Sequence, residues 1–258
     1  MFSDWFRRRR RQALLLQPFP DAWRAILEQD VPWCLALSDA EFTKLCDDLR
    51  VIIAEKTWEG CGGQEITDRV KVVIAAQAAL LILGLEPREH RYFPTTRTIL
   101  VYPKAYYDPR PEEGFDGVYD ETSWREGEAW YRGPVVLSWR DALRGAHHAD
   151  DGRNLVLHEF AHQIDMQDDV LDGTPPLRSR EDYRDWQRIM TAEFQRLIEA
   201  SERGRATLLD DYGATDEAEF FAVATECFFE RGLAMHARHP ELYALLQRFY
   251  RQDPAARS

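Results

Sequence analysis

The chain has 258 residues, 45% of them hydrophobic and 12% aromatic, which is ample for a packed core in one large domain or two small ones. Its 33 basic and 45 acidic residues leave a net charge of −12, which argues against general affinity for nucleic acid or for an anionic membrane. The longest apolar run, Val72 to Leu83, is interrupted by Gln77 and falls short of the roughly 18 residues that a membrane span requires.

One segment departs from this charge balance. Arg7 to Arg11 are five consecutive arginines, and removing them takes the remainder from −12 to −17. Only Leu14 to Leu16 follow before Gln17 and Pro18, so the uninterrupted apolar stretch of about 7–15 residues in an export signal is missing. Residues 1–18 are therefore expected to form a solvated, disordered arginine-rich tail, with contact to a membrane surface, RNA or an acidic partner as the alternative use. Residues 19–258 are expected to form a single domain that begins with a helical layer reaching about residue 90.

Helical periodicity covers Asp21 to Gln29 and Ser38 to Ala54, with Ser38 or Asp39 placed to cap the second helix toward Glu41. Thr67 to Leu83, closed by Gly84, is almost wholly apolar and rich in alanine, which predicts a helix at the centre of the fold. Near Tyr92 the character changes. Thr98 to Tyr102 reads as a strand stopped by Pro103, and Gly133-Pro134 introduces a second, Val135 to Trp139. The insertion between them, Lys104 to Arg132, carries Tyr106, Tyr107, Tyr119, Trp124, Trp130 and Tyr131 and reads as a loop or irregular hairpin with a packed or substrate-facing surface. Asp150 or Asp151 is placed to cap the next helix, and further helices are expected over Glu181 to Ser201, about Asp216 to Arg231, and Pro240 to Tyr250. This order predicts an α+β chain, mainly helical with a small mixed β-sheet. Cys34, Cys46, Cys61 and Cys227 lack C-x-x-C spacing, which points to reduced, mostly buried thiols and a cytoplasmic location.

The most informative stretch is His158-Glu159-Phe160-Ala161-His162. On a helix, residues four apart share a face, so both imidazoles can meet one metal ion while Glu159 leans toward the same space. Leu155, Val156, Leu157, Phe160, Ala161 and Ile164 make the surrounding helix strongly apolar, and buried imidazole and carboxylate need a partner such as a metal. This is the layout of a zinc peptidase. A catalytic zinc takes three protein ligands, and Asp165 and Asp168 exclude the third histidine of the extended motif. A later carboxylate or histidine must complete the set. The best segment is Tyr212 to Phe229, where Glu219 and Glu226 share a helix face with Ala222 and Val223. Spacing alone does not rank Glu219 against Glu226.

The runs Asn154-Leu155-Val156-Leu157-His158-Glu159-Phe160-Ala161-His162-Gln163-Ile164-Asp165 and Tyr212-Gly213-Ala214-Thr215-Asp216-Glu217-Ala218-Glu219-Phe220-Phe221-Ala222-Val223 resemble the Mlc titration factor A family of zinc metallopeptidases. The resemblance extends to Tyr102-Pro103, Gly133 to Trp139 and Phe249 to Pro254, and so covers most of the chain after the arginine run. It implies a zincin-like, gluzincin-like fold, one Zn2+ per chain held by His158, His162 and Glu219, and an active-site tyrosine at Tyr212. It also implies a partner, a glucose-responsive Mlc-like transcriptional repressor. The five-arginine start departs from the family pattern.

The expected activity is hydrolysis of a peptide or protein substrate by metal-activated water, with Glu159 as general base and Tyr212 stabilising the oxyanion. Endopeptidase, aminopeptidase and carboxypeptidase action all use this chemistry. Asn154 is placed to fix the helix or a neighbouring ligand, and Glu226 and Asp165 to orient imidazoles. Val135 to Trp139 is a candidate sheet edge for an added peptide strand. The alternative is a non-catalytic, repressor-sequestering protein with a structural zinc site, against which the intact Glu159 argues. A weaker alternative makes the arginine run a nucleic-acid anchor; no specific nucleic acid and no transmembrane segment are expected.

Overall fold

The computed structural model describes residues 2–104 and 133–257, so the aromatic insertion, apart from Lys104, lies outside the described residues. Helix α1 (Phe2–Leu15) occupies most of the segment expected to be a disordered tail. The correction has a physical cause. Leu14 and Leu15 pack against the core, Arg11 grips both oxygens of Glu55 at 2.7 Å, and Arg50 donates to the carbonyls of Leu14 and Gln17 at 3.3 and 2.8 Å. Those last bonds satisfy acceptors that a helix C-terminus leaves open.

Helices α2 (Asp21–Asp30) and α3 (Asp39–Glu55) fall where periodicity places them, and Ser38 forms the expected capping box with Glu41. After the short strand β1 (Thr57–Gly60) comes α4 (Asp68–Ile82), in which every residue from Val72 to Ile82 is buried. Helices α2 and α3 both pack on α4, whose Ala75, Ala76, Ala78 and Ala79 are fully buried. One polar side chain sits in this helix interior: Gln77 donates to the carbonyls of Val73 and Ala142 at 3.0 and 3.1 Å.

A four-residue helix α5 (Pro87–His90) leads to β2 (Thr98–Tyr102), and β3 (Val135–Ser138) follows. The sheet order is β1-β2-β3, with registers Thr57↔Thr98 and Ile99↔Val135. Among the described residues both pairings are parallel, where a mixed sheet was expected. A parallel pair needs a long crossover, and α4 supplies it between β1 and β2. Strand β3 ends one residue before Trp139, because Ser138 accepts from the Asp141 backbone at 3.3 Å and starts α6 (Trp139–His147).

Helix α7 (Leu155–Asp165) carries the H-E-x-x-H residues and packs on α4 and on α9 (Glu217–Glu230). Helix α8 (Arg180–Glu202) lies between them in sequence and holds α9 through aromatic contacts, Trp186 to Phe221 at 5.6 Å and Phe194 to Phe220 at 5.6 Å between ring centroids. Helices α10 (Gly232–Arg238) and α11 (Pro240–Tyr250) close the chain over the same core. The result is an α+β, mainly helical fold. All four cysteines are free thiols, three of them buried. No described helix is long and apolar enough to cross a membrane.

Candidate metal centre

Asn154, not Asp150 or Asp151, caps the metal-site helix: its Oδ1 accepts from the Leu157 backbone at 3.0 Å. The aspartates lie too far upstream, and Asp151 instead turns the preceding loop by accepting from Arg153 N. From that cap, one and two helical turns bring His158 and His162 to the same face, both buried. On α9, Asp216 caps the helix by accepting from the backbones of Ala218 and Glu219 at 2.8 and 3.0 Å, which places Glu219 in the first turn.

Across the α7–α9 interface His158 Nε2 lies 2.9 Å from Glu219 Oε2, His162 Nε2 lies 3.5 Å from the same oxygen, and the two imidazole nitrogens are 3.2 Å apart. These three side chains form a group that could hold a metal ion. The atoms fit a small cation. Zinc–nitrogen bonds of about 2.0–2.1 Å in a tetrahedron separate ligand atoms by roughly 3.3 Å, close to the observed spacings. Glu226 on α9 takes up the other nitrogen of His158, with Oε1 2.8 Å from Nδ1. With Nδ1 carrying the proton toward Glu226, the neutral ring turns its Nε2 lone pair to Glu219 Oε2 and gives that buried oxygen no hydrogen bond. Two acceptors face each other, and a cation resolves the conflict.

The protonation balance says the same thing with a proton in place of the metal. Burial opposes charge on His158, but the hydrogen bonds to Glu219 and Glu226 outweigh it and push the imidazole up to about 10. Burial likewise opposes charge on Glu219, and His158 and His162 overcome it, holding that carboxyl well below the usual range. A metal bound there displaces the proton, since a ligating imidazole must be neutral. Glu159 stays outside the three-atom cluster, with burial and then Glu219 and Glu226 pushing it up to about 8. A divalent cation beside it acts in the opposite direction.

Tyr212 lies on the short 3-10 turn Asp211–Ala214 just before α9, partly exposed, with its ring 6.0 Å from that of His158. Glu226 does more than face His158, because its second oxygen accepts from the Asn154 backbone. Asp165 does not reach an imidazole. Its Oδ2 accepts from Gly173 N at 2.7 Å and secures the loop after α7, where Gly173 has φ of +75° and a Cβ would lie 2.2 Å from the Glu217 carbonyl oxygen.

Sequence reasoning missed the support beneath the cap. Asn154 Nδ2 donates to Gln77 Oε1 at 2.9 Å and to Glu230 Oε1 at 3.0 Å, while Glu230 Oε2 accepts from the backbones of Gly152 and Arg153. The lone polar residue within the α4 apolar run was the available signal for this network. Gln163, one residue beyond His162, accepts from the hydroxyls of Thr95 and Thr96 at 3.0 and 2.7 Å and ties α7 to the segment before β2.

A helical chain with two histidines and a glutamate converging from an H-E-x-x-H helix and its neighbour has the arrangement of a metallopeptidase. Residues 4–251 match the family described as glucose-regulated metallo-peptidase M90. Similar relatives include the uncharacterized protein slr2042 of Synechocystis sp., 39% identical over 254 residues that cover 97% of this chain and 90% of the relative. The Mlc titration factor A proteins of Serratia proteamaculans and Edwardsiella ictaluri are each 31% identical, covering 88% and 93% of this chain and 86% and 89% of the relatives. The chain belongs to the glucose-regulated metallo-peptidase M90 family.

Proposed function

We propose that the chain is a zinc-dependent peptidase, with His158, His162 and Glu219 as metal ligands and Glu159 as general base. The observation that carries this reading is the meeting of His158 Nε2, His162 Nε2 and Glu219 Oε2 in one buried cluster beside Glu159. His158, His162 and Glu219 would hold the zinc ion, which when bound would supply Lewis acidity toward water and a peptide carbonyl. Glu159 takes the proton from the attacking water and returns it to the leaving amine. Tyr212 donates a hydrogen bond to the oxygen on which charge develops. Glu226 keeps the His158 ring in the tautomer that presents Nε2. Strand β3, at an edge of the described sheet, offers its backbone to an extended substrate.

The test is Glu159→Gln. The variant is expected to keep one zinc per chain, measured by metal analysis after dialysis, and to lose hydrolysis by about 10²–10⁴-fold. An unchanged turnover number refutes the base assignment. Cleavage of a peptide library by the zinc-loaded protein then separates endopeptidase from aminopeptidase and carboxypeptidase action.

The names of the Mlc titration factor A relatives support a second role, binding to a Mlc-like transcriptional repressor. If binding and catalysis are separate, chelator-treated protein retains such a repressor while losing peptidase activity. Loss of both together ties the partner to the metal-loaded site.

A further inference from the structure

Two members of the arginine run, which lay outside the proposed catalytic chemistry, line a cavity. Arg7 and Arg10 of α1, Lys56 after α3, and Arg91 and Arg97 between α5 and β2 line one cavity of about 550 Å³. The chain as a whole carries −12, so five cations gathered in one concavity run against its charge balance. Among the described residues lining it the one acid is Glu55, whose two oxygens Arg11 already holds at 2.7 Å. Cations gathered in one concavity raise its positive potential and favour a bound anion.

Both walls are fixed. Arg11 and Arg50 pin α1 as described, which aims Arg7 and Arg10, three apart on one helix face, while Arg8 and Arg9 stay outside the cavity. The segment that supplies Arg91 and Tyr92 to the lining holds Arg91, Tyr92 and the buried Phe93 at φ of +41°, +56° and +56°, three consecutive residues in a region that L side chains rarely occupy. His90 accepts from the Tyr92 backbone at 3.0 Å through Nδ1, and Lys56 donates to the carbonyls of Phe93 and Thr96 at 2.6 and 2.7 Å. Strained backbone held by such bonds is found where a ligand or a chemical step needs it.

We propose that this cavity is a binding site for a phosphate-bearing anion of at least two negative charges, presented either as a free phosphorylated compound or as an anionic lipid headgroup. Four of the five cations are guanidinium groups, whose planar forks match phosphate oxygens in pairs. The cavity exceeds the space that a single inorganic ion fills, and Phe6, which lines it and is 64% exposed, would rest at headgroup level for the lipid source.

The experiment uses the full chain with two double variants that each remove two charges: Arg91→Gln with Arg97→Gln in the cavity, and Arg8→Gln with Arg9→Gln outside it. Tripolyphosphate is titrated calorimetrically, and in a second arm the protein is sedimented with vesicles of phosphatidylcholine alone or mixed with phosphatidylglycerol. Circular dichroism verifies that each variant is folded. Saturable one-to-one binding of tripolyphosphate identifies the free source; binding to the mixed vesicles that tripolyphosphate displaces identifies the lipid source. In either case the cavity variant is expected to bind at least about ten-fold more weakly and the outside variant less than about three-fold. Equal weakening by the two variants, no saturable binding in either arm, or tighter binding to single-stranded RNA that tripolyphosphate does not displace overturns the proposal.

Discussion

Glu226 joins two tasks in one carboxylate, holding His158 Nδ1 at 2.8 Å and accepting from the backbone that begins α7. Its partner in the sequence-level choice, Glu219, faces the other nitrogen of the same ring. The two glutamates were equivalent by spacing; their difference is which side of one imidazole each meets, and only the α7–α9 packing sets that. His90 makes a different prediction at this scale. Burial, with Lys44 and Arg11 nearby, pushes it down to about 3, and Nδ1 accepts from Tyr92, so it is neutral in the folded chain. Its unfolded value is near 6.5, so the unfolded chain binds the extra proton first as pH falls. Stability from this residue is full above about 6.5 and is lost toward 3, by at most about 1.4 kcal/mol per pH unit. His90→Asn, which keeps an acceptor for Tyr92, is expected to flatten that loss between pH 6.5 and 4.5, read as urea midpoints. Equal slopes for both proteins would remove His90 as the cause.

Among the elements, α7 depends on what caps it. Asn154 satisfies the first turn, leans on Gln77 in α4 and Glu230 in α9, and so ties three helices at the start of the metal-site helix. Asn154→Ala is expected to cost about 1–3 kcal/mol, from the lost cap plus the polar groups left buried without a partner. Asn154→Ser, which can still cap, should recover part of that in the same denaturant titration; if Asn154→Ala unfolds like the parent, the network is not a support. Long elements were legible because their patterns are strong: the apolar run of α4, the Ser38–Glu41 capping box, the β-branched residues of β2. The short ones were not. Strand β1, with sequence Thr57-Trp58-Glu59-Gly60, has no alternation of its own and exists because β2 pairs with it. Helix α1 hid behind its arginines, since five like charges read as solvated until Glu55 and Tyr92 are seen beside Arg11.

Over the whole molecule, a metal at the α7–α9 interface would link the site to the stability of the fold. A ligand that binds only the folded chain stabilises it by mass action, about 2.7 kcal/mol at a hundredfold excess over its dissociation constant. For a chain of this size that corresponds to an increase in Tm of several degrees, roughly 2–4 °C per kcal/mol. Chelator-treated protein is therefore expected to melt earlier and to recover on adding zinc, as measured by calorimetry; identical melting curves would count against a metal site there. The amino-acid sequence by itself determined the two histidines and the glutamate between them, because a four-residue spacing on a helix acts locally, and it determined that the α4 run is buried, because no other place suits so many apolar side chains. Where spacing left Glu219 and Glu226 unranked and only the family resemblance favoured Glu219, the tertiary structure showed which one faces Nε2; it alone decided that Asp165 serves a loop, that the described sheet is parallel, and that Arg7 and Arg10 line one cavity with Arg91 and Arg97. Apart from the Asp165–Gly173 bond, which spans eight residues, these depend on groups tens of residues apart, and their relative positions are set by packing, which no local pattern encodes.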